Sequence, residues 1–131
     1  MIDVVGIVIV SHSNKVAEGL KEIALQMAPE VKIAEAGGTN DGRIGTDITK
    51  IQDAIREVYS ESGVIILFDL GSAFMNTEMA IEFLDEDMKN NIEIIDTPLV
   101  EGTIVAAVDS SMGKNIYEIK KSLKKMPTNK I

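Results

Sequence analysis

The sequence predicts an α/β fold: an open three-layer sandwich in which a parallel sheet carries helices on both faces. Three observations lead there. Residues 4–10 (VVGIVIV) and 64–70 (VIILFDL) are nearly continuous apolar runs rich in β-branched residues, as strands covered on both faces require. The segments between such runs carry apolar residues three and four apart, the period of an amphipathic helix. Strands that alternate with helices in this way form βαβ units, whose right-handed crossovers place helices on both sides of the sheet.

Taken in order, the strand at 4–10 runs into Ser11-His12-Ser13, and a helix follows in which Val16, Leu20, Ile23, Ala24 and Met27 recur on one face. Ser13 or Asn14 is its cap and Pro29 its stop. VKIAEA (31–36) is the second strand, followed by the glycine-punctuated loop GGTNDGRIGTD (37–47). Asp47 caps a helix whose Ile48, Ile51, Ile55 and Val58 share a face, and SESG closes it before the third strand at 64–70. A helix over 72–88, a strand at 91–97, a helix with Pro98 in its first turn running to Ser111, and a last helix over 115–125 complete the chain.

The bulk composition sets limits on function. The 131 residues, 45% hydrophobic and 26% charged, with three prolines and no linker or repeat, predict a single domain over 1–131. The absence of cysteine excludes a disulfide scaffold and a thiolate metal site and fits a reducing compartment, so a cytoplasmic protein is expected. The N-terminal apolar run has no basic flank and is interrupted by Gly6, so neither a signal peptide nor membrane association is expected. Of the net charge of −8, residues 114–131 contribute +5 and the remainder −13. A body this acidic repels nucleic acid and speeds encounter with a basic protein. The lysines of KKSLKK are expected as the solvated face of the last helix.

In open α/β sheets ligands bind beyond the carboxyl ends of the strands. Three groups fall there: SHS after the first strand, GGTNDG after the second and DLGSA after the third. His12 is the only histidine. An imidazole at this position sits on a rigid scaffold beside a helix N-terminus, whose unpaired N–H groups and positive dipole suit an anion. A phosphoryl group on His12 could accept from the amides around Ser13 and Asn14 and from the hydroxyls of Ser11 and Ser13. Asp69 would emerge beside His12 if the first and third strands are neighbours. Its carboxylate on Nδ1–H would leave Nε2 as the nucleophile, though a capping role for Asp69 through Gly71 and Ser72 fits the spacing equally. The glycine loop matches no nucleotide-binding fingerprint; Gly38 and Thr39 are expected to offer donors to the imidazole site, and a plain turn is the alternative. No metal ligand set of the usual kind and no cofactor motif is present. Phe74, Met75, Met79 and Phe83, at helical spacing, are expected as core, with self-association as the alternative.

The segments GIVIVSHS, AGGTNDGRIGTD, LFDLGSAFMNTE and PLVEGTIVAAVDSS, over about residues 4–112, resemble in order and spacing the phosphotransferase subunit of bacterial phosphoenolpyruvate-dependent dihydroxyacetone kinases, within the mannose-type IIA family. The resemblance implies that His12 is the phosphorylated histidine, with Asp69 its partner and Gly71, Ser72 and Thr39 in the family pattern. It implies phospho-HPr as donor, ADP bound on the kinase's nucleotide subunit as acceptor, carriage on Nε2, and a homodimer. With one domain on the chain, HPr is expected as a separate protein. A sugar-transporter IIA component of the same family is the alternative, and a metal-dependent phosphatase using Asp69 or a non-catalytic interaction module are rivals of other classes.

Overall fold

The register of one strand pair determines where the chemistry sits. In a computed structural model describing residues 3–126, β1 (Gly6–Ser11), β2 (Ile33–Gly37), β3 (Val64–Phe68) and β4 (Ile92–Ile95) form one parallel sheet in the order β2-β1-β3-β4. The expected domain 1–131 extends beyond this at 1–2 and 127–131, which lie outside the described residues. β1 lies between β2 and β3, with Val10 opposite Phe68. The residues that follow each of these, Ser11 and Asp69, are therefore neighbours at the sheet's carboxyl edge.

The helices are α1 (Asn14–Met27), α2 (Ile48–Val58), α3 (Gly71–Glu82), α4 (Glu86–Lys89), α5 (Leu99–Ser111) and α6 (Ile116–Leu123). Strand side chains alternate between two cores. Ile7, Ile9, Ile65, Leu67 and Ile95 pack with residues of α1, α5 and α6, while Val8, Val10, Ile66 and Phe68 pack with residues of α2 and α3. Every residue of β1 and β3 is buried. Each fully buried Val, Ile or Leu contributes about 1.5–3 kcal/mol of hydrophobic stabilisation, so these two central strands anchor the layer that carries the site. Because α1 leaves β1 toward one face and α3 leaves β3 toward the other, a crevice opens between their first turns, the topological switch point of the sheet.

Several expectations shift. The buried face of α1 is Ala17, Leu20 and Ala24, whereas Val16, Ile23 and Met27 are exposed. The alanines bring the helix close to the sheet, and the bulkier side chains flank that contact. At Gly37 a Cβ would lie 2.7 Å from Ala17 Cβ, Asn14 Cα and Ser13 O, so glycine permits β2 to end against the start of α1. The helix expected over 72–88 stops at Glu82. The chain turns through Leu84 N–H to Ile81 O (2.9 Å), burying Leu84 in the second core, and restarts at Asp85, which places Glu86 and Asp87 at a new helix N-terminus. Of the stripe expected as core, only Phe74 packs inward, its ring 5.4 Å from that of Phe68; Met75, Met79 and Phe83 are 65%, 51% and 71% exposed. β3 ends at Phe68 instead of residue 70, and Pro98 sits one position before the first turn of α5.

Candidate active site

β1 delivers Ser11 and His12 to the switch point, and β3 delivers Asp69. Asp69 N–H donates to Val10 O at 3.2 Å, continuing the ladder one residue past the strand and fixing the carboxylate beside the imidazole. Four donors converge on that carboxylate. Oδ1 accepts from His12 Nδ1 (2.9 Å) and from Leu70 N–H (2.7 Å); Oδ2 accepts from Ser11 Oγ (2.9 Å) and from His12 N–H (2.9 Å).

This arrangement sets the tautomer. A carboxylate only accepts, so Nδ1 carries the ring proton and, in the neutral ring, Nε2 holds a lone pair. The Ser72 hydroxyl donates to that lone pair at 2.7 Å. The imidazole is thus held at both ends, and its side chain keeps 20% exposure, enough to be reached from solvent. Burial pushes the Asp69 carboxyl up, but hydrogen bonds from the His12 N–H and ring, the Ser11 hydroxyl and the Leu70 N–H outweigh it, and the group lies below its ordinary range. Asp69 therefore stays ionised opposite the ring. With two donors on each oxygen it is a partner for His12 and is poorly placed to attack a substrate itself.

Ser72 belongs to the first turn of α3. The residue at the N-cap, Leu70, supplies no side-chain cap, and the first N–H groups of a helix, here Gly71 and Ser72, have no intrahelical acceptor. An uncapped, positively polarised helix terminus therefore stands next to Nε2.

Several of the donors expected elsewhere are engaged. The Ser11 hydroxyl is buried and bound to Asp69. Ser13 N–H donates to Ser11 Oγ (3.1 Å), and the Ser13 hydroxyl caps α1 by accepting from Val16 N–H (3.3 Å). Ser11 thus positions the histidine through Asp69, whereas the Ser13 hydroxyl, an acceptor at the cap, keeps its own proton available to donate. Gly38 N–H donates to Ser11 O (3.0 Å) and Thr39 N–H to Arg43 O (2.9 Å), while the Thr39 hydroxyl donates to Asp41 (2.6 Å). The glycine loop therefore braces the site instead of lining it with donors; a second brace, Gly45 N–H to His12 O at 2.8 Å, holds the histidine's own carbonyl. Asn14, as first residue of α1, keeps an N–H without an intrahelical acceptor. Sequence reasoning missed Leu70 and Gly45, because both act through the main chain and no side-chain type marks such a donor.

This constellation is a histidine with a carboxylate on Nδ1 and a helix terminus without a side-chain cap at Nε2. Residues 6–120 match the family model described as the phosphotransferase-system fructose IIA component, the mannose-type IIA group. The chain belongs to this mannose-type IIA family. Within it, the chain is 44% identical over 107 residues to the phosphoryl donor subunit DhaM of a PEP-dependent dihydroxyacetone kinase from Listeria innocua, covering 81% of this chain and 86% of that one. It is 36% identical over 121 residues to the phosphotransferase subunit DhaM of the PTS-dependent dihydroxyacetone kinase of Lactococcus lactis, covering 92% and 94%. A crystal structure of the protein EF1359, of unknown function, superposes with a TM-score of 0.84 at 33% identity over 95% of this chain and 96% of that one.

For a IIA domain with this geometry, a phosphoryl group carried on Nε2 would give Ser72 two opposed effects that magnitudes can separate. Its hydroxyl occupies the Nε2 lone pair, a neutral hydrogen bond of about 0.5–1.5 kcal/mol net, whereas a bond to an anionic phosphoryl oxygen is worth roughly 1.5–3 kcal/mol. The charged bond wins. Ser72→Ala is expected to slow phosphoryl uptake about five- to tenfold, measured by quenched-flow labelling; uptake faster than wild type would show that blocking Nε2 is the dominant role.

Proposed function

We propose that this chain is the phosphohistidine relay of a phosphoenolpyruvate-dependent dihydroxyacetone kinase. His12 Nε2 takes a phosphoryl group from phospho-HPr and passes it to ADP held on the kinase's nucleotide subunit. The observation that carries this reading is the two-ended hold on His12: Asp69 fixes the proton on Nδ1, and Nε2 faces the uncapped start of α3. In the transfer, the incoming phosphorus approaches Nε2 in line as Ser72 swings away. The equatorial oxygens accept from the N–H groups of Gly71 and Ser72, the Ser72 hydroxyl and, on the other side, Asn14. Asp69 stabilises the positive charge that grows on the ring. On delivery the electron pair returns to Nε2, and protonation of the ring by acid slows uptake because it removes that pair.

The names of the DhaM relatives support the dihydroxyacetone kinase assignment, and the family model's description favours a second reading, a sugar-transporter IIA component. The acceptor decides between them. Protein labelled through phosphoenolpyruvate, enzyme I and HPr, then mixed with the ADP-loaded kinase subunit or with a mannose-type IIB domain, is expected to yield labelled ATP with the first. Label on the IIB domain and none on ADP would move the protein to the transporter branch.

The same reading takes the chain as a single cytoplasmic domain over 1–131 that works as a homodimer. Among the described residues no helix is long and apolar enough to cross a membrane. The exposed Met75, Met79 and Phe83 adjoin a groove along the open edge of β4 whose apolar floor of Phe74, Ile81, Ile92 and Ile94 is rimmed by Glu78 and Glu82, and that apolar floor is suited to burial against a second copy. Sedimentation equilibrium is expected to give twice the 14.2 kDa chain mass, and Met79→Glu with Phe83→Glu the single mass. A wild-type monomer at micromolar concentration would remove the dimer from the account.

A further inference from the structure

The two half-reactions of the relay differ in charge. With HPr, a dianionic phosphoryl group moves between two neutral imidazoles; with a nucleoside diphosphate it meets a terminal phosphate that is itself anionic. The second encounter adds a repulsion that the first lacks, and this chain has a net charge of −8. A fixed cation at the rim of the site would offset that repulsion where it arises.

The chain has two arginines, Arg43 and Arg56. Arg56 lies in the last turn of α2, at the opposite end of the sheet from His12. Arg43 lies on the loop that braces the site. That loop is tied to both residues at the switch point, by Gly38 N–H to Ser11 O (3.0 Å) and Gly45 N–H to His12 O (2.8 Å). Within it, Thr39 N–H donates to Arg43 O (2.9 Å) and Arg43 N–H to Thr39 Oγ1 (3.0 Å), so the arginine's main chain is clasped from both sides.

The side chain is also oriented. Its Nε lies 2.9–3.0 Å from the carboxylate of Asp41, which in turn accepts from the Thr39 hydroxyl at 2.6 Å. Among the described residues nothing engages the two terminal nitrogens, and the side chain is 78% exposed. Hydrogen bonds from Thr39 and then Arg43 hold the Asp41 carboxyl below its ordinary range. An exposed pair of this kind adds little stability. It does hold a guanidinium with its outer edge free, which is the edge that binds phosphate oxygens in pairs. Lys50, the nearest lysine in sequence to this loop, donates instead to Gly37 O at 2.6 Å.

We propose that Arg43 is supplied in trans to the acceptor, its free edge contacting the terminal phosphate of the nucleoside diphosphate on the partner subunit. This rests on the acceptor reading above. During transfer the P–Nε2 bond breaks, its electron pair returning to Nε2, as a bond forms from a terminal phosphate oxygen to the same phosphorus, giving the triphosphate. The guanidinium neutralises that terminal phosphate and leaves the exchange with HPr largely untouched.

The test separates the half-reactions. Full-length wild type, Arg43→Ala and Arg43→Lys are labelled to completion and each is mixed with unphosphorylated HPr or with the ADP-loaded kinase subunit. Arg43→Ala is expected to slow transfer to ADP about ten- to a hundredfold and exchange with HPr less than about threefold, with Arg43→Lys between wild type and alanine. Equal slowing of both reactions, or an unchanged rate to ADP, overturns the inference alone. Wild-type protein that exchanges with HPr yet passes nothing to ADP overturns the acceptor reading and this inference with it.

Discussion

His12→Ala is expected to take up no phosphoryl group from phosphoenolpyruvate, enzyme I and HPr, while wild type acquires label that survives alkali and is released by acid. No second imidazole exists to substitute, since His12 is the only histidine in the chain. The loss is not expected to come from unfolding. The ring is partly exposed and contributes two hydrogen bonds, while the strand that carries it is buried along its whole length. A melting temperature within a few degrees of wild type, corresponding to about 1 kcal/mol, is therefore the matching control. Labelling of the alanine variant at the wild-type rate would place the phosphoryl group on another residue.

Asp69→Asn carries the second large effect. The amide replaces one acceptor oxygen by a donor, and whichever way it turns, two of the four convergent N–H and O–H groups lose their acceptor. With the NH₂ toward the ring, Nδ1 is driven to become the acceptor and the proton moves to Nε2, which removes the nucleophilic lone pair. We expect uptake to fall by about two to four orders of magnitude, the range found where a carboxylate that orients a catalytic histidine is replaced. The variant also loses a pH dependence. In the folded protein Asp69 titrates below its ordinary value of 3.8. Its contribution to stability is therefore complete above that value and is lost as pH falls through the lowered one. Denaturant unfolding between neutral pH and about pH 3 should show wild type losing this increment on acidification, with a flatter curve for Asp69→Asn. Parallel curves would mean that the carboxylate is not held as described.

How much of this could be read from the residues depends on whether side chains or backbone carry each feature. The four strands, the alternation with helices, and the caps Ser13 and Asp47 follow from local patterns that tertiary packing did not override. His12 beside Asp69 is legible for the same reason: each residue directly follows a buried strand, and only the neighbour relation of β1 and β3 has to be supplied by the fold. The errors arise where local pattern competes with packing. Val16, Ile23 and Met27 satisfy helical spacing, yet the small residues Ala17 and Ala24 decide which face of α1 approaches the sheet. The loop GGTNDGRIGTD reads either as a source of donors, because glycine exposes backbone, or as a plain turn; its amides close its own turn and brace Ser11 and His12. Both helix starts are expected at the site; Ser13 caps α1, whereas Leu70 gives α3 no side-chain cap, so α3 adds the N–H groups of Gly71 and Ser72 to that of Asn14.

The central claim is that His12 carries the phosphoryl group on Nε2 while Asp69 retains the proton on Nδ1. Nitrogen-15 NMR of histidine-labelled protein, phosphorylated by HPr, tests it directly through one-bond coupling to phosphorus. The account predicts coupling at Nε2, with Nδ1 still protonated. Coupling at Nδ1, or phosphorus bound to an oxygen of Asp69 or Ser72, would contradict it.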